Sequence, residues 1–369
     1  MSIIDQIVDG PSRQRPILQH IRAASKPVII YGAGVYAYVL QRFLALNGII
    51  VESVMVDAAC KTDDSFMGLR VIATEEAVSR LADCIVVVGI TTYPPQVDKL
   101  KRLGAREVHV IDIPDYLNMP EAFMDMRFVK DHLEQFDQAG KLFADDLSRQ
   151  TYIAAINAKI NEDLEYLKPF VRLDNLYFPA SEFPLRADEV LLDVGGFTGD
   201  TVREFHSLSG GRYTQIISLE PCEENFRQLQ ATIQSLGLTK VLPLKIGAWD
   251  QRTTLRFARQ EMDIDNQITA NGEQQIEVDT IDSILGSPKH AVTLIKLDIN
   301  GAEYRALAGA QETIRQHRPR IVVRLHTKED FFRIPLMLHR VVPDMKLYLR
   351  QRNYMSMMVV LYGVFDSGL

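Results

Sequence analysis

Twice in this chain an apolar run breaks into glycines, a helical stretch follows, and a second apolar run closes on an acid. The clearer instance is residues 190–220, VLLDVGGFTGDTVREFHSLSGGRYTQIISLE. Val190 to Val194 carries Asp193 and breaks at Gly195, Gly196 and Gly199. Val202 and Phe205 share a helical face, and Ile216 to Leu219 ends on Glu220. This is a strand, a tight turn, a helix and a second strand tipped by a carboxylate. Such a unit belongs in an α/β fold whose parallel sheet is covered by helices on both faces. The fainter instance runs from Pro27 to Tyr31 through Gly32-Ala33-Gly34 and a helix to Leu46. It continues in a second apolar run, Ile49 to Val56, that ends at Asp57.

Spacing divides the chain into three. Residues 1–114 read as a Rossmann-like unit, with further strands at 84–88 and 108–111 and helices near 74–81 and 94–103. Residues 115–185 lose the strand alternation and read as two or three helices, followed by an extended piece, Asp174 to Pro179. From 186 to 369 the alternation resumes, with strands expected at 190–194, 215–219, 241–246, 252–257, 293–298 and 320–325. The last two, 345–350 and 357–364, are spaced as a hairpin, which suggests an antiparallel edge on a parallel sheet. The expected architecture is two doubly wound sheets joined by a helical segment.

The chemistry of the second glycine turn differs from that of a dinucleotide site. A G-x-G-x-x-G turn sets a helix N-terminus against a pyrophosphate. Here the order is D-x-G-G-x-x-G, and an acid at Asp193 would repel phosphate but tolerate a cation. S-adenosylmethionine carries a sulfonium, an ammonium and a ribose, and no phosphate, so it suits this turn better. Glycines admit a ligand close to the backbone and permit positive φ, and Glu220 stands where an acid accepts from a ribose diol. At the end of a later strand, Ala248 offers backbone to an adenine ring and Trp249 an aromatic face, packing being the rival role for the indole.

Three further residues lie at strand ends or, for Glu303, at the start of the helix that follows one. Thr293 to Leu297 leads into Asp298, then Asn300-Gly301 turns the chain toward Glu303, and Arg320 to Leu325 leads into His326. Ligands of open α/β sheets bind beyond the carboxyl ends of strands, so Asp298, Glu303 and His326 are the candidate catalytic residues. An imidazole there suits general-base work at neutral pH. Lys296 reads as an ion-pair partner of a nearby acid.

These residues resemble the FkbM family of S-adenosylmethionine-dependent methyltransferases. The likeness runs through Leu192-Asp193-Val194-Gly195-Gly196 with Gly199-Asp200-Thr201, Glu220-Pro221-Cys222-Glu223-Glu224-Asn225-Phe226 and Val278-Asp279-Thr280-Ile281-Asp282. It continues through Ile295 to Glu303, Ala306 to Ala310, Leu325-His326-Thr327-Lys328-Glu329-Asp330, and the ending Tyr348-Leu349-Arg350 with Val360-Leu361-Tyr362, covering roughly 145–365. The resemblance implies a class I methyltransferase fold and O-methylation of a sugar, glycan precursor or secondary metabolite. Asn300 stands where family members often carry Glu, and Phe197-Thr198 departs from the family's small loop.

The N-terminal turn, with Gly32, Gly34 and Asp57, is a weaker second nucleotide site. Three readings compete for it: a nucleotide-sugar module, an NAD sensor, or a scaffold. The main alternative for the whole chain is a non-catalytic nucleotide-sugar-binding protein whose C-terminal unit keeps only the fold, and an oxidoreductase is a third. Composition bounds the partners. A net charge of −7 and 24% charged residues argue against nucleic-acid and anionic-membrane surfaces. No apolar run approaches the ~20 residues that span a bilayer, and the N-terminus has no secretory pattern. Cys60, Cys84 and Cys222 are scattered, so no metal site is expected and a reducing cytoplasm is. The expected partner is a small-molecule or saccharide acceptor, and a homo-oligomer is compatible with the composition.

Overall fold

The computed structural model describes residues 2–113, 122–180, 183–258, 267–268, 274–286 and 291–365. The N-terminal sheet comprises β1 (Val28–Tyr31), β2 (Ser53–Val56), β3 (Ser65–Phe66), β4 (Leu69–Ala73), β5 (Ile85–Val88) and β6 (Glu107–His109). Their spatial order is β3-β4-β2-β1-β5-β6, parallel except for the β3–β4 pair. β1, β2 and β5 are buried along their whole length, as central parallel strands must be, and this is why they read as unbroken apolar runs.

The C-terminal half contains β7 (Val190–Val194), β8 (Gln215–Leu219), β9 (Val241–Leu244), β10 (Gly247–Ala248), β11 (Thr253–Ala258), β12 (Gln267–Ile268), β13 (Gln274–Asp279), β14 (Leu294–Leu297), β15 (Arg320–Arg324), β16 (Lys346–Gln351) and β17 (Val359–Val364). Seven of these form one sheet in the order β16-β17-β15-β14-β7-β8-β9. The expected terminal hairpin is there: β16 pairs antiparallel with β17, which pairs antiparallel with β15. The chain winds outward from β7 through β8 to β9 and then returns to β14 on the other side of β7. The strand order therefore reverses between β7 and β14.

One expectation is corrected. The strand at 252–257 lies outside the main sheet and joins β10, β12 and β13 in a four-stranded sheet of its own. β13 escaped the sequence reading although Ile276 and Val278 alternate with exposed polar residues, a pattern of period two.

The segment after the first sheet carries the helices Met126–Asp131, Leu133–Lys141 and Asp146–Asn161. Asp125 and Asp145 cap two of them by accepting from the amides of Phe128 and Ser148. Phe136, Phe143 and Tyr152 lie in the same apolar core as Leu192, Ile295 and Leu349 of the main sheet, so these helices are part of the C-terminal unit's packing. Among the described residues no helix is long and apolar enough to cross a membrane.

Candidate active site

Four loops leave the carboxyl ends of adjacent strands and converge beside the order reversal: Gly195-Gly196 after β7, Glu220 after β8, Asp298 after β14 and His326 after β15. β7 and β14 are in register there, with Lys296 opposite Asp193 and Leu297 opposite Val194.

The glycines are required by the protein's own packing. A Cβ on Gly195 would lie 2.3 Å from the Asp298 carbonyl oxygen, and one on Gly196 2.3 Å from Ser218 Oγ. Gly195 and Gly199 also have φ of +90° and +86°, conformations that side chains resist. The positive φ expected of the turn is there, and the same glycines let the β7 loop press against its neighbours. Two non-glycine residues of the site also take positive φ, Phe197 at 45° and Asn300 at 51°, and these are the positions that depart from the family pattern.

Asp193, expected to face a cationic ligand, is turned into the protein. Its side chain is fully buried, 3.1 Å from Lys296 Nζ, and accepts from Ser218 Oγ at 2.8 Å. Lys296 also donates to the Gly195 carbonyl at 2.9 Å. Burial works against the lysine's charge, yet Asp193, Asp298 and Asp200 outweigh it and hold the ammonium above its ordinary pKa. The expected ion pair of Lys296 is therefore with Asp193, beneath the turn.

Glu220 closes β8 as read. One carboxylate oxygen accepts from the Phe197 amide at 2.9 Å and the other from the Cys222 amide at 2.9 Å. Burial pushes its pKa up to about 7 against these two amides. Each carboxylate oxygen has two lone pairs, so both retain capacity for a further donor. Trp249 packs with Cys222, Ile276 and Val278, under the Arg305 guanidinium 5.4 Å from its ring centre. Its amide donates to the Asp279 carbonyl at 2.9 Å, which fixes the turn after Ala248.

The acids and the histidine meet. Asp298 Oδ1 is 2.8 Å from His326 Nε2, Arg324 Nη1 stands 3.4 Å from Asp298 Oδ2, and Tyr177 donates its hydroxyl to Oδ2. Burial alone would raise the Asp298 carboxyl, but Arg324, His326 and Lys296 hold it well below the usual carboxylate range. The side chain of Asp298 is 13% exposed, whereas His326 and Glu303 are 0% exposed. Asp298 is therefore the member of this group that is not fully buried.

Glu303 and His326 were both expected as catalytic groups, and both are corrected by their burial. Glu303 accepts from the Ile299 and Gly301 amides at 2.7 and 2.9 Å and so clamps the turn that carries Asp298. His326 faces an ionised Asp298 through Nε2, so that nitrogen must hold a proton and donate it. It cannot also accept one from a substrate. Behind them Asp330 accepts from the Thr327 amide at 2.7 Å, and burial with Glu303 nearby raises its pKa to about 7. Asp298, Glu303 and His326 each bring a ligand atom within 4.8 Å of the others, a spacing a metal ion tolerates.

Sequence reasoning missed Arg324 and placed Tyr177 only within the extended piece Asp174 to Pro179. Arg324 precedes His326 by two, the strand repeat that puts side chains on one side, so a signal for it existed. Tyr177 lies 121 residues from Asp298, and nothing local ties them. In the N-terminal sheet Asp57 is already occupied. It accepts from Tyr31 at 2.8 Å and Thr74 at 3.0 Å, and pairs with Lys99. Gly32 packs against Gly89 and Ile90, while Gly34 has open space around it.

A seven-stranded sheet with one antiparallel hairpin edge, reversing its order at a glycine turn, defines a class I methyltransferase fold. Residues 193–355 match the model of the methyltransferase FkbM domain. The crystal structure of methyltransferase FkbM from Methylobacillus flagellatus KT is similar over 96% of this chain and 94% of that one, with TM-score 0.64 and 19% identity. Fibrillarin of Aeropyrum pernix with natively bound S-adenosyl-L-methionine aligns with 48% of this chain and 67% of its own, at TM-score 0.32 and 11% identity. A putative tRNA (m1A22) methyltransferase of Streptococcus pneumoniae in complex with S-adenosyl-L-methionine aligns with 50% and 70%, at TM-score 0.31 and 13% identity. Among curated proteins none matches. The cofactor of the domain is S-adenosylmethionine. The donor set fits it: an acceptor-only carboxylate at Glu220 suits a diol, and an ionised Asp298 suits a cationic sulfur nearby.

Proposed function

We propose that the chain transfers a methyl group to a hydroxyl oxygen of a small-molecule or saccharide acceptor in the cytoplasm, with Asp298 receiving the hydroxyl proton. The observation that carries the reading is the exposure order: the one carboxylate of the cluster that is not fully buried is held anionic by Arg324, Lys296 and His326. Bound S-adenosylmethionine supplies a methyl group on positively charged sulfur, electrophilic enough for a neutral hydroxyl. Glu220 would hold the ribose by accepting its hydroxyl hydrogens. Asp298 accepts the acceptor's O–H hydrogen and orients a lone pair of that oxygen toward the methyl carbon, so that alignment does most of the work. As the oxygen gains its bond to the methyl carbon, the carbon–sulfur bond breaks to leave neutral S-adenosylhomocysteine; the oxygen's proton becomes strongly acidic, and a carboxylate of low pKa suffices to take it. His326 and Arg324 are positioning residues, which fix Asp298 from behind. The N-terminal sheet serves as a scaffold on this reading, since Asp57 already has three protein partners.

Calorimetry and a labelled-methyl assay over a panel of hydroxylated acceptors test this. The intact chain should bind both S-adenosylmethionine and S-adenosylhomocysteine. Glu220→Ala should weaken binding by about a hundredfold, from the loss of two charge-assisted hydrogen bonds. Asp298→Asn should still bind S-adenosylhomocysteine, whose sulfur is uncharged, and turn over about a hundredfold more slowly. A chain indifferent to both nucleosides, or an Asp298→Asn variant at wild-type turnover, ends this reading.

A further inference from the structure

Away from the crevice, three side chains with metal-binding chemistry meet at the far edge of the N-terminal sheet. His20 lies in the last turn of the helix Gln14–Ala23, and Glu107 and His109 lie on β6. Residues two apart on a strand share a face, so both β6 side chains are presented together to the helix. One ligand atom from each of the three lies within 4.8 Å of the other two. His20 Nε2 is 2.8 Å from Glu107 Oε2, and the two imidazole rings stand 6.0 Å apart at 60°. His109 Nε2 is buried and finds no hydrogen-bond partner among the described residues. An imidazole nitrogen left so is costly, and a metal ion is one way to use its lone pair.

We propose that His20, Glu107 and His109 bind a divalent cation of the zinc class. Two imidazole nitrogens and one carboxylate oxygen form a common three-ligand set for zinc, with a water in the fourth position. His20 is 56% exposed on its side chain, which leaves the fourth position open to solvent. Lys26 pairs with Glu107 through Oε1, the oxygen that His20 does not use, and its partly exposed stem can swing to water. The anchors on either side are firm: β6 pairs in parallel register with β5, and the helix is held by the buried Ile21. A bound ion would staple the helix to a three-residue edge strand, where backbone pairing is weakest.

The Asp298–Glu303–His326 group has similar spacing but a different charge balance. Arg324 and Lys296 already offset its acids, and the Ile299 and Gly301 amides occupy Glu303. At the sheet edge the ion pairs among the described residues bring Glu107 one lysine, Lys26, besides His20.

The test uses the full, untagged chain after chelator treatment, titrated with zinc chloride and, separately, with cobalt chloride for its tetrahedral visible bands. The wild type should take up one more zinc per chain than a His20→Ala/His109→Ala double variant, and show cobalt bands that the variant lacks. Glu107→Gln, nearly isosteric, should bind zinc at least tenfold more weakly and guards against a misfolded double variant. Binding of S-adenosylmethionine should be the same in all three. Equal zinc uptake by wild type and double variant, or an unchanged affinity in Glu107→Gln, overturns the proposal.

Discussion

Glu220 closes β8 and is penalised for being ionised where it stands. Its ordinary pKa of 4.5 rises to about 7 in the fold. The folded protein therefore holds that proton more tightly than the unfolded chain. Glu220 contributes full stability below pH 4.5 and loses it as the pH climbs through about 7, a swing of about 3 kcal/mol at most. Binding runs the other way, because a diol donates best to the ionised form. Calorimetry between pH 6 and 8 should show affinity for S-adenosylmethionine rising with pH, by up to roughly tenfold. Glu220→Gln should bind weakly with no such slope, and a slope surviving that substitution would place the titration elsewhere. Both Glu220 and Asp298 were legible because an acid ending an apolar strand is a local pattern. The duties of His326 and Glu303 were not, since burial and the direction of a hydrogen bond depend on Asp298 and on the amides of Ile299 and Gly301.

At the scale of elements, the glycine turn after β7 couples fold and site. Alanine at Gly195 would combine an unfavourable φ of +90° with a Cβ 2.3 Å from the carbonyl oxygen of Asp298. Gly195→Ala should destabilise the protein by at least about 2 kcal/mol in urea unfolding and displace Asp298, lowering turnover as well. Gly210→Ala is the matched control. Its φ is +59° with open space around it, so it should cost only about 1 kcal/mol and spare turnover. Equal losses in the two would mean that backbone conformation, and not the press of the two loops, governs Gly195. The central strands were readable within a residue or two, because parallel strands buried on both faces are unbroken apolar runs. The allegiance of Thr253–Ala258 was not. It is decided by pairing with Gln274–Asp279, and such partners are chosen across intervening chain by packing that no local window contains.

At the scale of the molecule, the two sheets meet through the loop between β16 and β17. Met355 and Met357 leave the C-terminal sheet and are buried in the N-terminal core beside Tyr93 and Ile111. Tyr354 packs on Tyr93 with ring centres 5.4 Å apart, and the Ser356 amide donates to Asp112 at 3.1 Å. The same loop reaches back to the site, for Arg324 Nε donates to the Met357 carbonyl at 3.0 Å. None of this was visible in the sequence, where Asp112 and Ser356 stand 244 positions apart. The packing makes the N-terminal sheet a support for Arg324 and, through it, for the charge on Asp298. Met355→Asp puts a carboxylate into that apolar contact at a cost of several kcal/mol, roughly 3–5 for an unpaired buried charge. Calorimetric unfolding of the variant should then separate into two transitions where the wild type shows one. Turnover should fall while S-adenosylmethionine still binds, because Glu220 is held by the Phe197 and Cys222 amides. A Met355→Leu variant keeps the apolar contact and should behave as wild type in both measurements. Were Met355→Asp to unfold in a single transition and methylate at the normal rate, the loop would be a connection between the sheets and nothing more.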